Sequence, residues 1–167
     1  MAINSKNKGN EFELKVAKLL GKWWDETFRR TPGSGGLGWR SDNRVTGDIV
    51  TPEGSLFPFS VEAKKHEKWD FSQFIKGTGE VDSWWDQCVR DSVTVDKEPL
   101  LVFSKNFAPT YFMINANVFG KILPKQEELQ GMNLMVIYSD VYGPRVIGLL
   151  DQLIKFAPKD KILSILG

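Results

Sequence analysis

Residues 46–65 read TGDIVTPEGSLFPFSVEAKK, and the fold turns on how they are taken. In FPFSVEAKK, Phe59, Val61 and Ala63 alternate with Ser60, Glu62 and Lys64, the period-two pattern of a strand that buries the first set and presents the second on its other face. TGDIVT is a second β-like run, and PEGS between the two carries the Pro and Gly of a turn, so the pair reads as a hairpin. Pairing of the two runs brings the Asp48 carboxylate beside that of Glu62, and Lys64 points the same way as Glu62. Two carboxylates and one ammonium then converge. Paired carboxylate oxygens hold hard divalent cations such as magnesium, and the cation polarises a phosphodiester and lowers the pKa of a bound water. A lysine beside them orients that water and offsets negative charge in the transition state. The competing reading is an edge strand of solvated charges with an unrelated Asp48 in a turn, since E-x-K is a common tripeptide.

Just upstream, RRTPGSGGLGWR (residues 29–40) holds four glycines within six residues. Gly33, Gly35 and Gly38 satisfy the spacing of a dinucleotide-binding loop, but no buried strand precedes them and no apolar helix follows. A Walker loop also fails, because Trp39 and Arg40 stand where Lys and Ser/Thr are required. Glycines let a loop bring backbone N–H groups against phosphates, and Arg29, Arg30, Arg40 and Arg44 supply charge for the same purpose. Something other than a nucleotide cofactor must then explain the glycines; the alternative is a flexible surface loop with no ligand.

Composition removes other chemistries. The 167 residues, 41% apolar and 12% aromatic, suffice for one domain with a full core, so residues 1–167 are expected to form a single unit. No apolar run is long enough to span a membrane and the N-terminal residues lack the apolar centre of a secretory signal, which predicts a soluble, cytoplasmic protein. One cysteine, Cys88, allows no internal disulfide, and with one histidine, His66, it cannot make a Cys/His zinc cluster. The net charge of +1 argues against a broadly basic nucleic-acid-coating protein but permits a local basic groove.

Phe12, Val16, Leu19, Leu20 and Trp23 recur at helical spacing, so GNEFELKVAKLLGKWW reads as an amphipathic helix starting near Asn10. EVDSWWDQCVRDSVTV predicts a second helix, PLLVF a buried strand, and TYFMI and LMVIY two more strands. VIGLLDQLIKFA reads as a closing helix, although its apolar centre also suits a strand. Trp69, Phe71, Phe74, Trp84 and Trp85 suit either stacking on unpaired bases or packing in a core or dimer interface, and packing is the commoner use of helical aromatics.

Taken in order, a helix with a glutamate, GDIV, a strand carrying VEAK and a helix with a glutamine resemble the PD-(D/E)XK nuclease superfamily, and within it the Holliday-junction resolvases of archaeal type, also found in phages. KGNEFELKVAKLL is similar to their opening K-G-x-x-x-E helix, RTPGSGG to their arginine-plus-serine loop, and WWDQCVRDS with PLLVF to their glutamine helix and following strand. The likeness covers roughly residues 8 to 104. Gly47 stands where the superfamily name has proline, and EKWDFSQF and SWW are outside the resolvase pattern.

The resemblance implies an α/β, restriction-endonuclease-like fold with a mixed central sheet flanked by helices. It implies that Asp48 and Glu62 bind the metal with Glu13 and the Ala63 carbonyl, and that Lys64 positions or activates the attacking water with Gln87 nearby. It implies further that Ser34, beside Gly35, contacts the scissile strand. Helix geometry separates Glu13 from Glu11: at about 100° per residue, Glu13 lies roughly 75° from the centre of the apolar stripe and Glu11 roughly 125° away, beside Lys15, Lys18 and Lys22. The expected function is a magnesium-dependent endodeoxyribonuclease, with manganese as a substitute, acting on branched DNA as a homodimer. Such an enzyme is phage-encoded in some cases and works in the host cytoplasm. A nicking, repair or restriction-type nuclease and a silent DNA-binding module of the same fold are the alternatives.

Overall fold

The computed structural model describes residues 2–32 and 47–167, with side chains from residue 6 onward. Five strands form a sheet in the order β3 (Phe59–Lys65), β4 (Glu98–Ser104), β5 (Tyr111–Asn115), β7 (Gly143–Leu149), β6 (Leu134–Ser139). β3 and β4 are parallel and the other pairs antiparallel, so the sheet is mixed and β3 is one of its edges. The parallel pair requires a crossover, and this is supplied by the short α2 (Ser72–Lys76) and by α3 (Val81–Thr94).

The apolar runs that read as buried strands are covered on both faces. Along β4, Leu100 and Val102 join one cluster with Phe12, Val16, Leu20 and Trp24 of α1 (Ala2–Trp24). Leu101 and Phe103 join the opposite cluster with Trp84, Trp85 and Cys88 of α3. The same alternation continues across β5, where Phe112 and Ile114 face α1 and Met113 faces α3. Trp69, Trp84 and Trp85 are buried, and Phe71 and Phe74 pack against that cluster. The stacking role is therefore set aside for Trp69, Trp84 and Trp85, whose rings are buried, while Phe71 and Phe74 are half-buried.

Three readings of the elements are corrected. α1 begins at Ala2, not near Asn10: the polar residues before Gly9 give no apolar stripe but do not forbid a helix once the later turns are packed. Leu19 is 36% exposed while Ala17 and Trp24 are buried, so the buried stripe runs slightly to the other side of the expected one. VIGLLDQLIKFA is both candidates in succession, the end of β7 and then α5 (Leu150–Phe156). Two helices with little sequence signal, α4 (Ala116–Ile122) and α6 (Lys159–Leu166), complete the layer around α1.

The expected hairpin is also absent. β2 (Ile49–Val50) pairs antiparallel with β1 (Arg29–Arg30), not with the ladder of β3. It reaches β3 by two single contacts instead: the Asp48 N–H donates to the Val61 carbonyl at 2.8 Å, and the Ala63 N–H donates to Asp48 Oδ2 at 2.8 Å. α1 ends in a Schellman turn with Asp25 in the left-handed region (φ 56°) and Glu26 N–H bonded to the Gly21 carbonyl at 3.0 Å. That turn sends the chain back along α1 into β1, and so carries Arg30 to the level of Glu13.

Candidate active site

The site forms at the open edge of β3. Even-numbered residues of this strand bond to β4, as the donation from His66 N–H to the Ser104 carbonyl shows, so the backbone groups of Val61 and Ala63 point away from the sheet. Asp48 occupies that edge, its carboxylate held by the Ala63 N–H. The Ala63 carbonyl faces the same edge, because N–H and C=O of one strand residue point the same way. Side chains at 62 and 64 instead leave the strand toward α3, aligned with Leu101 and Phe103. Glu62 is 1% exposed, and its Oε1 lies 2.6 Å from Lys64 Nζ. Oε2 has no hydrogen-bond partner among the described residues.

Electrostatics mark this as a place that stores unbalanced negative charge. Burial, moderated by the Ala63 N–H and by Lys64, pushes the Asp48 carboxyl up to about 6. Burial together with the Asp48 charge pushes Glu62 up to about 7. For Lys64, burial works against the ammonium, yet Glu62, Asp48 and Glu13 outweigh it and hold the pKa above its ordinary value. Lys64 is thus a cation at neutral pH, suited to donate hydrogen bonds and offset charge rather than to accept a proton. One lysine does not offset the burial of two carboxylates, and a bound cation would favour their ionised forms.

A pH dependence follows. Both carboxyls have folded-state values above their unfolded ones, so between about pH 4 and pH 7 the folded chain binds more protons than the unfolded one and stability falls as pH rises. The metal-free protein is expected to melt higher at pH 5 than at pH 8, by several degrees at about 2–4 °C per kcal/mol. Added divalent metal should recover much of the loss at pH 8. Calorimetry with and without chelator checks this, and a melting temperature that rises from pH 5 to pH 8 without metal would contradict the buried pair.

Glu13 sits at the rim on α1, half-buried, whereas Glu11 is exposed, as the helical angles predict. Its carboxylate accepts from Arg30 Nε at 2.9 Å, and Arg30 Nη2 donates to Asn10 at 2.8 Å. Glu13 contributes to the field on Asp48 and Lys64 while being held by Arg30. Arg30 is therefore a partner of Glu13 here, and Arg29 is exposed on β1. Gln87 is half-buried on α3, the helix that covers Glu62. Ser34, Gly35, Arg40 and Arg44 lie outside the described residues. No group of three or more His, Cys, Asp or Glu among the described residues is arranged to hold a metal. The candidate donor set is two carboxylates and one backbone carbonyl, with the unpartnered Glu62 oxygen as its clearest open position.

One residue escaped the sequence reading. Asp91, one helical turn after Gln87 on α3, acts electrostatically on Asp48 and Glu62, and burial raises its own pKa despite Arg90 and Lys64. Its position four residues after Gln87 was the available signal, since residues so spaced share a helix face.

A mixed sheet whose edge strand carries E-x-K, with an aspartate pinned to that strand from the preceding segment, is the plan of the PD-(D/E)XK nucleases. The chain belongs to the family described as "Phage putative PDDEXK endonuclease", which it matches over residues 4–164. The fold is accordingly restriction-endonuclease-like. The chain is also similar to Protein D14 of Escherichia phage T5, 30% identical over 110 residues, 64% of this chain and 68% of that protein. No solved structure matches it. Among the described residues, no helix is long and apolar enough to cross a membrane.

Proposed function

We propose that this nuclease is a divalent-metal-dependent DNA endonuclease with a preference for branched DNA. The observation that carries the metal dependence is the Glu62 carboxylate, 99% removed from solvent with one oxygen unpartnered, beside an Asp48 whose pKa is raised by the same burial. Asp48, Glu62 and the Ala63 carbonyl would hold the cation, and Glu13 would enter the set if released by Arg30. A divalent cation bound there, magnesium or manganese, would supply the charge that polarises the phosphodiester and lowers the pKa of a bound water. Lys64 would orient that water and stabilise developing charge on the phosphate. Gln87, on the helix that covers Glu62, would sit near that water, and Asp91 on the same helix would add to the negative field around Lys64. Ser34 and the glycine loop contact the scissile strand.

Preference for branched DNA rests on the resolvase-like order of helix, serine loop, metal strands and glutamine helix. A symmetric dimer fits this preference, because a four-way junction has near two-fold symmetry and resolution requires paired cuts. The test offers a four-way junction, a flap, a nicked duplex and a plain duplex in competition, with magnesium at stated salt, while mass is followed in solution. Paired symmetric nicks by a dimer are the expected result. Equal cutting of plain duplex by a monomer would replace this reading with a general nuclease of the same fold.

The rim glutamate gives a separate check. Glu13→Gln should lose roughly tenfold or more in cleavage, as expected when a group that tunes a metal site is altered, and Glu11→Gln should stay near the parent in the same assay. Equal losses would remove Glu13 from the site.

A further inference from the structure

The active site opens into a groove that neither the glycine loop nor the metal set explains. Its volume is about 740 Å3, and it is lined by Lys6 and Lys8 of α1, by Lys64 and Lys65 at the end of β3, and by Lys68 beyond it. Three glutamates share the lining, and each already has a partner. Glu13 is held by Arg30, Glu80 lies 3.4 Å from His66 Nδ1, and Glu67 accepts the Asn106 N–H at 3.0 Å. Lys6, Lys8, Lys65 and Lys68 make no ion pair among the described residues. With five lysines and three glutamates the lining is net positive, in a chain whose net charge is only +1.

At the outer end, the Glu67 contact pins the turn between β4 and β5. Phe107, next to Asn106, is fully exposed, the most exposed large apolar side chain among the described residues, and its backbone has φ 59°. A non-glycine residue in the left-handed region carries strain, and this one gains no burial in return. The turn is not loose: Ser104 Oγ donates to the Pro109 carbonyl at 2.9 Å, Lys105 Nζ donates to the Trp69 carbonyl at 3.2 Å, and Glu67 holds its middle. A fixed, strained turn that holds an aromatic ring out in water is built to present that ring.

We propose that the groove carries the phosphodiester backbone of the strand to be cut, and that Phe107 stacks on a base of that strand that has left its duplex partner. The charge track and the aromatic platform are the two parts of a single-strand binding surface. This rests on the nuclease reading and narrows it: the substrate has unpaired bases within a groove's length of the cut. Lysines recognise the backbone and therefore act on every DNA alike. The ring acts only where a base is free to stack.

Binding is measured with full-length Asp48→Asn, which removes cleavage, on a plain duplex and on a duplex with an internal unpaired segment, across a salt series. Lys6→Gln, Lys8→Gln, Lys65→Gln and Lys68→Gln should each weaken both DNAs severalfold and reduce the slope of log affinity against log salt by about one. Lys18→Gln, on another face of α1, is the control and should change neither. Phe107→Ala should weaken the unpaired substrate about tenfold and the duplex hardly at all, with recovery in Phe107→Trp. Lysine variants that bind as the parent does, or a Phe107→Ala loss equal on both DNAs, would overturn the respective part, as would a parent that binds no DNA. The nuclease reading fails by a different observation, the absence of cleavage by the protein with Asp48 intact in any divalent metal, and that outcome leaves the binding dependence measurable.

Discussion

Asp48→Ala and Glu62→Ala should each lower DNA cleavage by roughly a thousandfold or more, about 4 kcal/mol of transition-state stabilisation at 1.36 kcal/mol per decade. The loss is large because Asp48 and Glu62 are the two buried carboxylates of the candidate donor set, and Glu13, held by Arg30 at the rim, does not stand in for either. DNA binding should stay within a few fold, since lysine and arginine contacts to phosphate carry the affinity. Binding should tighten slightly, as one negative charge facing the phosphates is gone. A second consequence separates a metal site from a merely structural pair. Because burial makes each ionised carboxylate costly in the metal-free chain, the isosteric Glu62→Gln should raise the melting temperature at pH 8 while abolishing cleavage. Normal cleavage by Asp48→Ala in magnesium would dismiss the assignment outright.

Gly47→Ala is expected to be the most damaging substitution of a residue that carries no chemistry. Gly47 has φ +72°, and a Cβ there would lie 2.3 Å from the Val61 carbonyl oxygen of β3. That oxygen accepts the Asp48 N–H, so it cannot withdraw without releasing the bond that sets Asp48 beside the strand. Left-handed strain of about 1–3 kcal/mol adds to a lost hydrogen bond of about 1 kcal/mol. At about 2–4 °C per kcal/mol, the melting temperature should drop by roughly 5–15 °C. Cleavage should fall further than stability explains, because Asp48 is displaced. Gly54→Ala isolates the clash: its φ of +77° is as unfavourable, yet a Cβ there meets nothing within 4 Å. Equal melting temperatures for the two variants would show that the close approach to Val61 is not needed. The same geometry explains why glycine stands where the superfamily name has proline, since proline's ring holds φ near −65°.

The placement of the candidate site residues was legible in the sequence to the extent that local pattern controls it. Alternation in FPFSVEAKK placed Glu62 and Lys64 on one face of β3, and that is a property of the strand alone. Helical angle chose Glu13 over Glu11 for the same reason. The route by which Asp48 reaches Glu62 was misread, because PEGS between two β-like runs has the form of a hairpin turn. The observed pairing of β2 with β1 depends on the Schellman turn after Trp24, which brings a distant segment into reach. Asp91 and the groove lysines were missed for a related reason, since their neighbours come from other elements.

What the sequence by itself determined is the periodicity of several elements and the residue types they carry: a buried strand run in PLLVF, an amphipathic first helix and a charged E-x-K pair. These are properties of residues within a few positions of one another, where side-chain direction follows from backbone period. The tertiary structure decided which charges lose their solvent. Glu62 becomes a carboxylate with an open oxygen only when α3 closes over one face of β3, Asp48 becomes its neighbour only through the Val61 and Ala63 backbone contacts, and Trp69, Trp84 and Trp85 turn inward because both faces of the sheet need covering. Desolvation depends on everything that packs around a group, so no local pattern contains it.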